Sequence, residues 1–113
     1  MRIVAVEPET SAVLSGARPG FHRLQGLGAG FVPAVLNTRI YDAIERVGDE
    51  EAAAATRDLA RHEGILVGIS SGANLVAALR TARGLEPGAA VVTIFCDAGQ
   101  RYLTTDVFHA EGI

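Results

Sequence analysis

The sequence contains no lysine. All ten of its basic residues are arginine, so no side-chain amine is available to form a Schiff base with a carbonyl compound. Tryptophan is also missing, and the one cysteine, Cys96, excludes an internal disulfide. His22, His62 and His109 lie far apart with no nearby ligand partner, so the spacing of a metal site is absent. The arginines are not clustered and the net charge is −3, which gives a nucleic-acid backbone or an anionic membrane nothing to bind. No apolar run approaches the ~20 residues needed to span a bilayer, and no basic-then-apolar leader opens the chain. A reducing, cytoplasmic setting is the default expectation.

What is present is apolar surface. Hydrophobic residues make up 49% of 113 residues, enough for a packed core in one compact unit. Arg2–Glu7 is a short β-branched run stopped by Pro8, and it reads as a buried strand. Ser11 can cap a short helix to about Ser15, ended by Gly16. A long irregular stretch follows, including the glycine-rich Gln25–Pro33, and loops of that length usually have a function. Ala43–Val47 alternates apolar and polar residues, as a half-exposed strand does.

Asp49 is suited to N-cap a helix with Glu50 and Glu51 in its first turn and Arg57, Arg61 and His62 toward its end, a charge order that complements the helix dipole. Ala52, Ala55 and Leu59 give it a small-residue face, and Gly64 is the expected C′ residue. A second helix is expected with Leu75, Ala78, Leu79 and Ala82 on one face, ending near Gly84. Pro87-Gly88 turns into Ala90–Cys96, an apolar run that predicts a strand covered on both faces. The alternation of strands and helices predicts an α/β layered unit, with a small, mainly parallel sheet flanked by helices.

Three segments could carry chemistry. In Ile69-Ser70-Ser71-Gly72 a strand end feeds into a helix, the place where open α/β sheets collect ligands. One serine can be an ordinary N-cap while the other faces a ligand. Gly26-Leu27-Gly28-Ala29-Gly30 is not a dinucleotide fingerprint, because its third glycine comes one position early. Its glycines permit close backbone approach to a ligand, or simply a mobile loop. Cys96-Asp97-Ala98-Gly99-Gln100-Arg101-Tyr102 puts a thiol, a carboxylate and a guanidinium at the mouth of the sheet. Cys96 reads as a small buried hydrophobe rather than a nucleophile, since His109 is the only sequence-local imidazole. Asp97 and Arg101 read as an ion pair.

Together, Val4–Pro8, Gln25–Pro33, Glu63–Ala73 and Arg101–Leu103 resemble, in order and approximate spacing, the cysteine synthase (O-acetylserine sulfhydrylase) family. The resemblance covers essentially the whole chain. It implies part of the type II pyridoxal-phosphate fold, and a complete enzyme that eliminates acetate from O-acetylserine and adds sulfide to give cysteine. The family's Ser-Ser-Gly motif carries over to Ser70, whose hydroxyl would bond the pyridine nitrogen of the cofactor. A hydroxyl supports a neutral ring nitrogen, and the weaker electron sink suits β-elimination. The glycine loop carries over as active-site wall, with Gly26 and Gly28 beside the substrate and Cys96 as a possible cofactor neighbour. Gln25–Phe31 looks like the A-type enzyme, which uses free sulfide. Cys96-Asp97 looks like the B-type isozyme and cystathionine β-synthase.

The family's lysine, its substrate-carboxylate loop and its phosphate loop lie upstream of the region that this sequence resembles. The resemblance therefore implies that residues 1–113 form a single C-terminal segment, inactive alone and binding no pyridoxal phosphate alone. Its implied partners are an N-terminal half or a second copy, with serine acetyltransferase a further family partner. The rival reading is a non-catalytic module that binds a partner protein or a small anion.

Overall fold

The computed structural model describes residues 1–105, 107 and 108. His109 lies outside the described residues. Two strands, β1 (Val4–Pro8) and β2 (Ala43–Val47), pair in parallel with Val4 opposite Ala43 and Pro8 opposite Val47. The pairing is locked at its start. The Ile3 carbonyl accepts the Asp42 and Ala43 amides, and the Asp42 carboxylate accepts the Ile3 amide at 2.8 Å. Parallel strands need a long crossover, and residues 9–42 supply it without an α-helix.

Where a short helix from Ser11 was expected, two 3₁₀ turns form, Glu9–Ser11 and Val13–Ser15. The buried Glu7 carboxylate accounts for this local geometry. It accepts the amides of Leu14 and Ser15 and the Ser15 hydroxyl, at 2.7, 3.0 and 2.6 Å. A buried carboxylate needs such donors, and they hold the turn against β1.

Helix α1 (Asp49–Asp58) runs on through a π-helical turn, Leu59–Glu63, to Gly64 in the left-handed conformation (φ +68°). Its N-cap is Gly48 rather than the expected Asp49, because Glu51 reaches back to accept the Gly48 amide at 2.8 Å. Helix α2 (Ile69–Arg83) follows and ends at Gly84 as expected. Its buried stripe is Gly72, Ala73 and Ala77, whereas Leu79 is exposed. The expected Leu75–Leu79 face is displaced because α2 packs closely on α1 through its smallest residues. Arg80 adds a polar tie, with its guanidinium on the Glu51 carboxylate at 2.6 Å and on the Arg46 carbonyl at 2.6 Å. The core comprises Leu24, Val47, Ala52, Ala53, Ile69, Ala73, Ala77 and Val107.

Two strand expectations fail among the described residues, the strand end leading into Ser70 and the Ala90–Cys96 run. Ile65–Ile69 contributes only a single antiparallel bridge, Val67 to Ala98, before α2 begins. Ala90–Cys96 has no ladder partner, and Val92 and Ile94 stand 89% and 69% exposed instead of covered on both faces. Among the described residues no adjacent strand satisfies that backbone. The accessible surface, 7371 Å², exceeds the ~5,900 Å² of a self-contained monomer of this mass. The α/β class with a small parallel sheet stands, and the sheet has two strands.

Candidate functional site

The first turn of α2 gathers the motif residues. Gly68 is the N-cap, with extended backbone (φ −79°, ψ 170°) and no side-chain capping bond, so neither serine caps the helix. Ser71 is fully buried, and its hydroxyl accepts the Cys96 amide at 3.1 Å. It ties α2 to the end of the 90–96 segment. Ser70 is 5% exposed, and its hydroxyl has no hydrogen-bond partner among the described residues. The adjacent serines thus divide between a structural tie and a hydroxyl left available.

Gly26 faces that hydroxyl. A β-carbon built there would lie 3.9 Å from Ser70 Oγ, and its φ of +95° is a conformation that glycine alone adopts readily. The structure therefore brings Gly26 and Ser70 together. Gly28 belongs to the same loop but is pinned elsewhere. A β-carbon on it would meet Pro8 Cγ at 2.4 Å and His22 Nε2 at 2.8 Å, and its carbonyl lies 2.9 Å from that same ring nitrogen. The loop lines a cavity of about 610 Å³ with β1 residues Val6 and Glu7 and with Leu14 and Phe31, and Ser70 is not among the lining residues.

Cys96 is exposed, not buried, because it ends the uncovered 90–96 segment. Its thiol lies 3.9 Å from the Ile94 carbonyl. Asp97 does not form the expected ion pair with Arg101. One carboxylate oxygen takes a 2.5 Å hydrogen bond from the buried Tyr102 hydroxyl, and the other is buried without a partner. That bond, with burial, holds the Tyr102 pKa above the ordinary tyrosine value, and Arg101 acts weakly in the opposite direction. The Asp97–Tyr102 pair presses on Gly68, where a β-carbon would lie 2.3 Å from Asp97 Oδ1 and 2.6 Å from the Tyr102 ring. This buttress behind the α2 terminus is not evident from sequence spacing. Only the proximity of Tyr102 to Asp97 in the chain hinted at it.

No helix among the described residues is long and apolar enough to cross a membrane. They also gather no group of three His, Cys, Asp or Glu side chains able to hold a metal.

Known proteins resemble this chain in sequence and in fold. The chain is 54% identical over 108 residues to a cysteine synthase of Staphylococcus aureus (strain MW2), covering 96% of this chain and 35% of that protein. O-acetyl serine sulfhydrylase isoform 3 of Entamoeba histolytica superposes with a TM-score of 0.92 at 42% identity, over 95% of this chain and 32% of that one. The O-acetylserine dependent cystathionine beta-synthase of Helicobacter pylori superposes at 0.89 with 44% identity, over 96% of this chain and 35% of that one. The chain thus spans about a third of the length of the relatives it matches. The model of the pyridoxal-phosphate dependent enzymes matches residues 1–97, which is most of the chain, and the chain accordingly belongs to that family.

Proposed function

We propose that this chain forms the part of a cysteine synthase that receives the ring-nitrogen end of pyridoxal phosphate, and that Ser70 is the contact. The supporting observation is the Ser70 hydroxyl, nearly buried and without a partner among the described residues, facing a glycine that leaves the space beside it open. A flat heteroaromatic ring suits such a place, because glycine at residue 26 puts no side chain beside the hydroxyl. These residues fit the nitrogen end of the cofactor. The sequence offers no lysine to hold its aldehyde end.

Pyridoxal phosphate, when bound in a complete enzyme, would supply an electron sink for β-elimination. The protein residues act around that chemistry. The Ser70 hydroxyl donates to the ring nitrogen and leaves it unprotonated, which a carboxylate there would not do. Ser71 and the Asp97–Tyr102 pair hold the α2 terminus so that Ser70 keeps its direction. The lysine, the phosphate contacts and the substrate-carboxylate contacts belong to the two thirds of a complete enzyme that this chain does not span. Acting alone, the chain is inactive and holds no cofactor. The sulfur donor is free sulfide, in keeping with the A-type look of the glycine loop. A cystathionine-forming enzyme is the second reading, favoured by Cys96-Asp97 and by the likeness to the Helicobacter pylori protein.

The test is a chimaera in which this chain replaces the matching third of the Staphylococcus aureus enzyme. It should form cysteine from O-acetylserine and sulfide, and Ser70→Ala should slow acetate release more than it weakens cofactor retention. Equal loss of both would remove Ser70 from the assigned role. The 113-residue chain alone, mixed with cofactor and reduced with borohydride, should give no specific adduct by mass spectrometry.

A further inference from the structure

We propose that the cavity between α1, residues 22–25 and residues 102–107 is a second ligand site, and that it takes a short-chain monocarboxylate through Arg57. The site is separate from the contact assigned to Ser70 and does not rest on it.

Glu50, Ala53 and Arg57 recur at i, i+3 and i+7 and so share one face of α1. That face, with the residues on either side, encloses a cavity of about 300 Å³, at the lower end of the sizes that hold small ligands. It is not the cavity lined by the glycine loop, and Ser70 does not line it.

Most polar groups around it are already engaged. Both His22 ring nitrogens meet backbone, with Nδ1 accepting the Leu24 amide at 3.1 Å and Nε2 lying 2.9 Å from the Gly28 carbonyl. The Tyr102 hydroxyl donates to Asp97, and the Thr105 hydroxyl donates to the Tyr102 carbonyl at 2.6 Å. Glu50 takes the Arg23 guanidinium at 2.7 Å, and both side chains are largely exposed. Two groups remain. The Gln25 carboxamide has no hydrogen bond among the described residues. The half-buried Arg57 guanidinium has one, from Nη1 to the Val107 carbonyl at 3.0 Å, and no carboxylate partner among those residues.

A guanidinium partly withdrawn from water without a counter-ion calls for an anion. Its planar fork has N–H groups to spare, and two of them match the two oxygens of a carboxylate. The one uncompensated charge calls for a monoanion. Ala53, Ile69 and Val107 supply a buried apolar lining, which suits a short hydrocarbon body and offers a phosphate nothing. Acetate and propionate meet all three requirements, whereas chloride meets only the charge. Gln25 directly precedes Gly26 and Ile69 directly precedes Ser70, so a bound acid would touch both chain segments that carry the candidate site.

Nuclear magnetic resonance of the 113-residue chain tests this, with sodium propionate as the ligand and sodium chloride and sodium phosphate as controls. Propionate should shift the Ile69 and Val107 methyl signals and the Arg57 side-chain N–H signal saturably, at least ten-fold more tightly than either control. Arg57→Gln should weaken binding at least ten-fold. Gln25→Ala alters an exposed side chain outside the core, and it should weaken binding at least three-fold. If Arg57→Gln does not fold, Gln25→Ala alone decides. The absence of saturable shifts at these residues means that the cavity holds only water and overturns the proposal. Chloride or phosphate binding as tightly as propionate overturns it too, as does propionate binding that neither variant weakens.

Discussion

Gly72 lies where the two helices approach closely, and replacing it with alanine sets two known effects against each other. Alanine is the better helix former by ~1 kcal/mol, so Gly72→Ala in isolation should stabilise α2. In the fold, however, the new β-carbon would lie 2.0 Å from Thr56 Oγ1, 2.3 Å from the Ala52 carbonyl oxygen and 3.1 Å from the Thr56 amide nitrogen. Thr56 cannot simply turn away, because its hydroxyl donates to that same Ala52 carbonyl at 2.8 Å. The carbonyl belongs to the backbone of α1. Restoring ordinary contact requires the helices to part by roughly 1 Å, which loosens Ala52, Ala73 and Ala77 together. Overpacking of this kind costs ~1–3 kcal/mol, and a clash with backbone belongs at the upper end. After the propensity gain the net loss should be ~2 kcal/mol, a large fraction of a small domain's ~5–15 kcal/mol. Urea melts followed by far-ultraviolet circular dichroism should show the midpoint fall by about 1 M for a slope of ~2 kcal/mol per M. Gly84→Ala is the control, since its nearest neighbour is 3.6 Å away and its φ is −88°. That variant should stay within ~0.5 kcal/mol of the parent. If Gly72→Ala proves as stable as the parent, the close helix crossing is wrong.

Two further outcomes follow from the site. The raised Tyr102 pKa, caused first by its bond to Asp97 and then by burial, contributes stability that is fully present below the ordinary tyrosine value near ~10. It is lost as pH rises from there through the folded value, because the unfolded chain gives up the proton first. With no lysine to titrate in that range, the alkaline loss should shrink in Tyr102→Phe, and an identical pH–stability slope in the two proteins would refute the assignment. Cys96 is exposed, so iodoacetamide should modify it in the folded chain at a rate close to that in urea. Protection of more than ten-fold would mean the 90–96 segment is covered in solution.

Much of the fold was legible in the residues because local rules decided it. Val4–Pro8 and Ala43–Val47 are strands in fact as in pattern, and Gly64 and Gly84 end their helical stretches where glycine was expected to. The paired serines were legible only as a choice between capping and ligand binding. Gly68 took the cap without any side-chain bond, which released both hydroxyls. Ala90–Cys96 misled because an apolar run reports the environment a segment is suited to, not whether a strand lies beside it. The same applies to Cys96, whose apolar neighbours suggested burial that the segment does not provide.

The sequence by itself determined β1, β2 and the two helices, the lack of any side-chain amine, and a motif order specific enough to identify the enzyme family. Those are properties of residue identity and near-neighbour spacing. The tertiary structure alone decided that Ser70 has no hydroxyl partner among the described residues while Ser71 does, and that Gly26 meets it across 44 residues of chain. It also decided that Asp97 pairs with Tyr102 rather than Arg101. Each of these depends on how segments distant in the chain pack, as at Gly72, where α2 lies so close to α1 that a β-carbon would meet Thr56 Oγ1 at 2.0 Å. No pattern along a single helix records such packing.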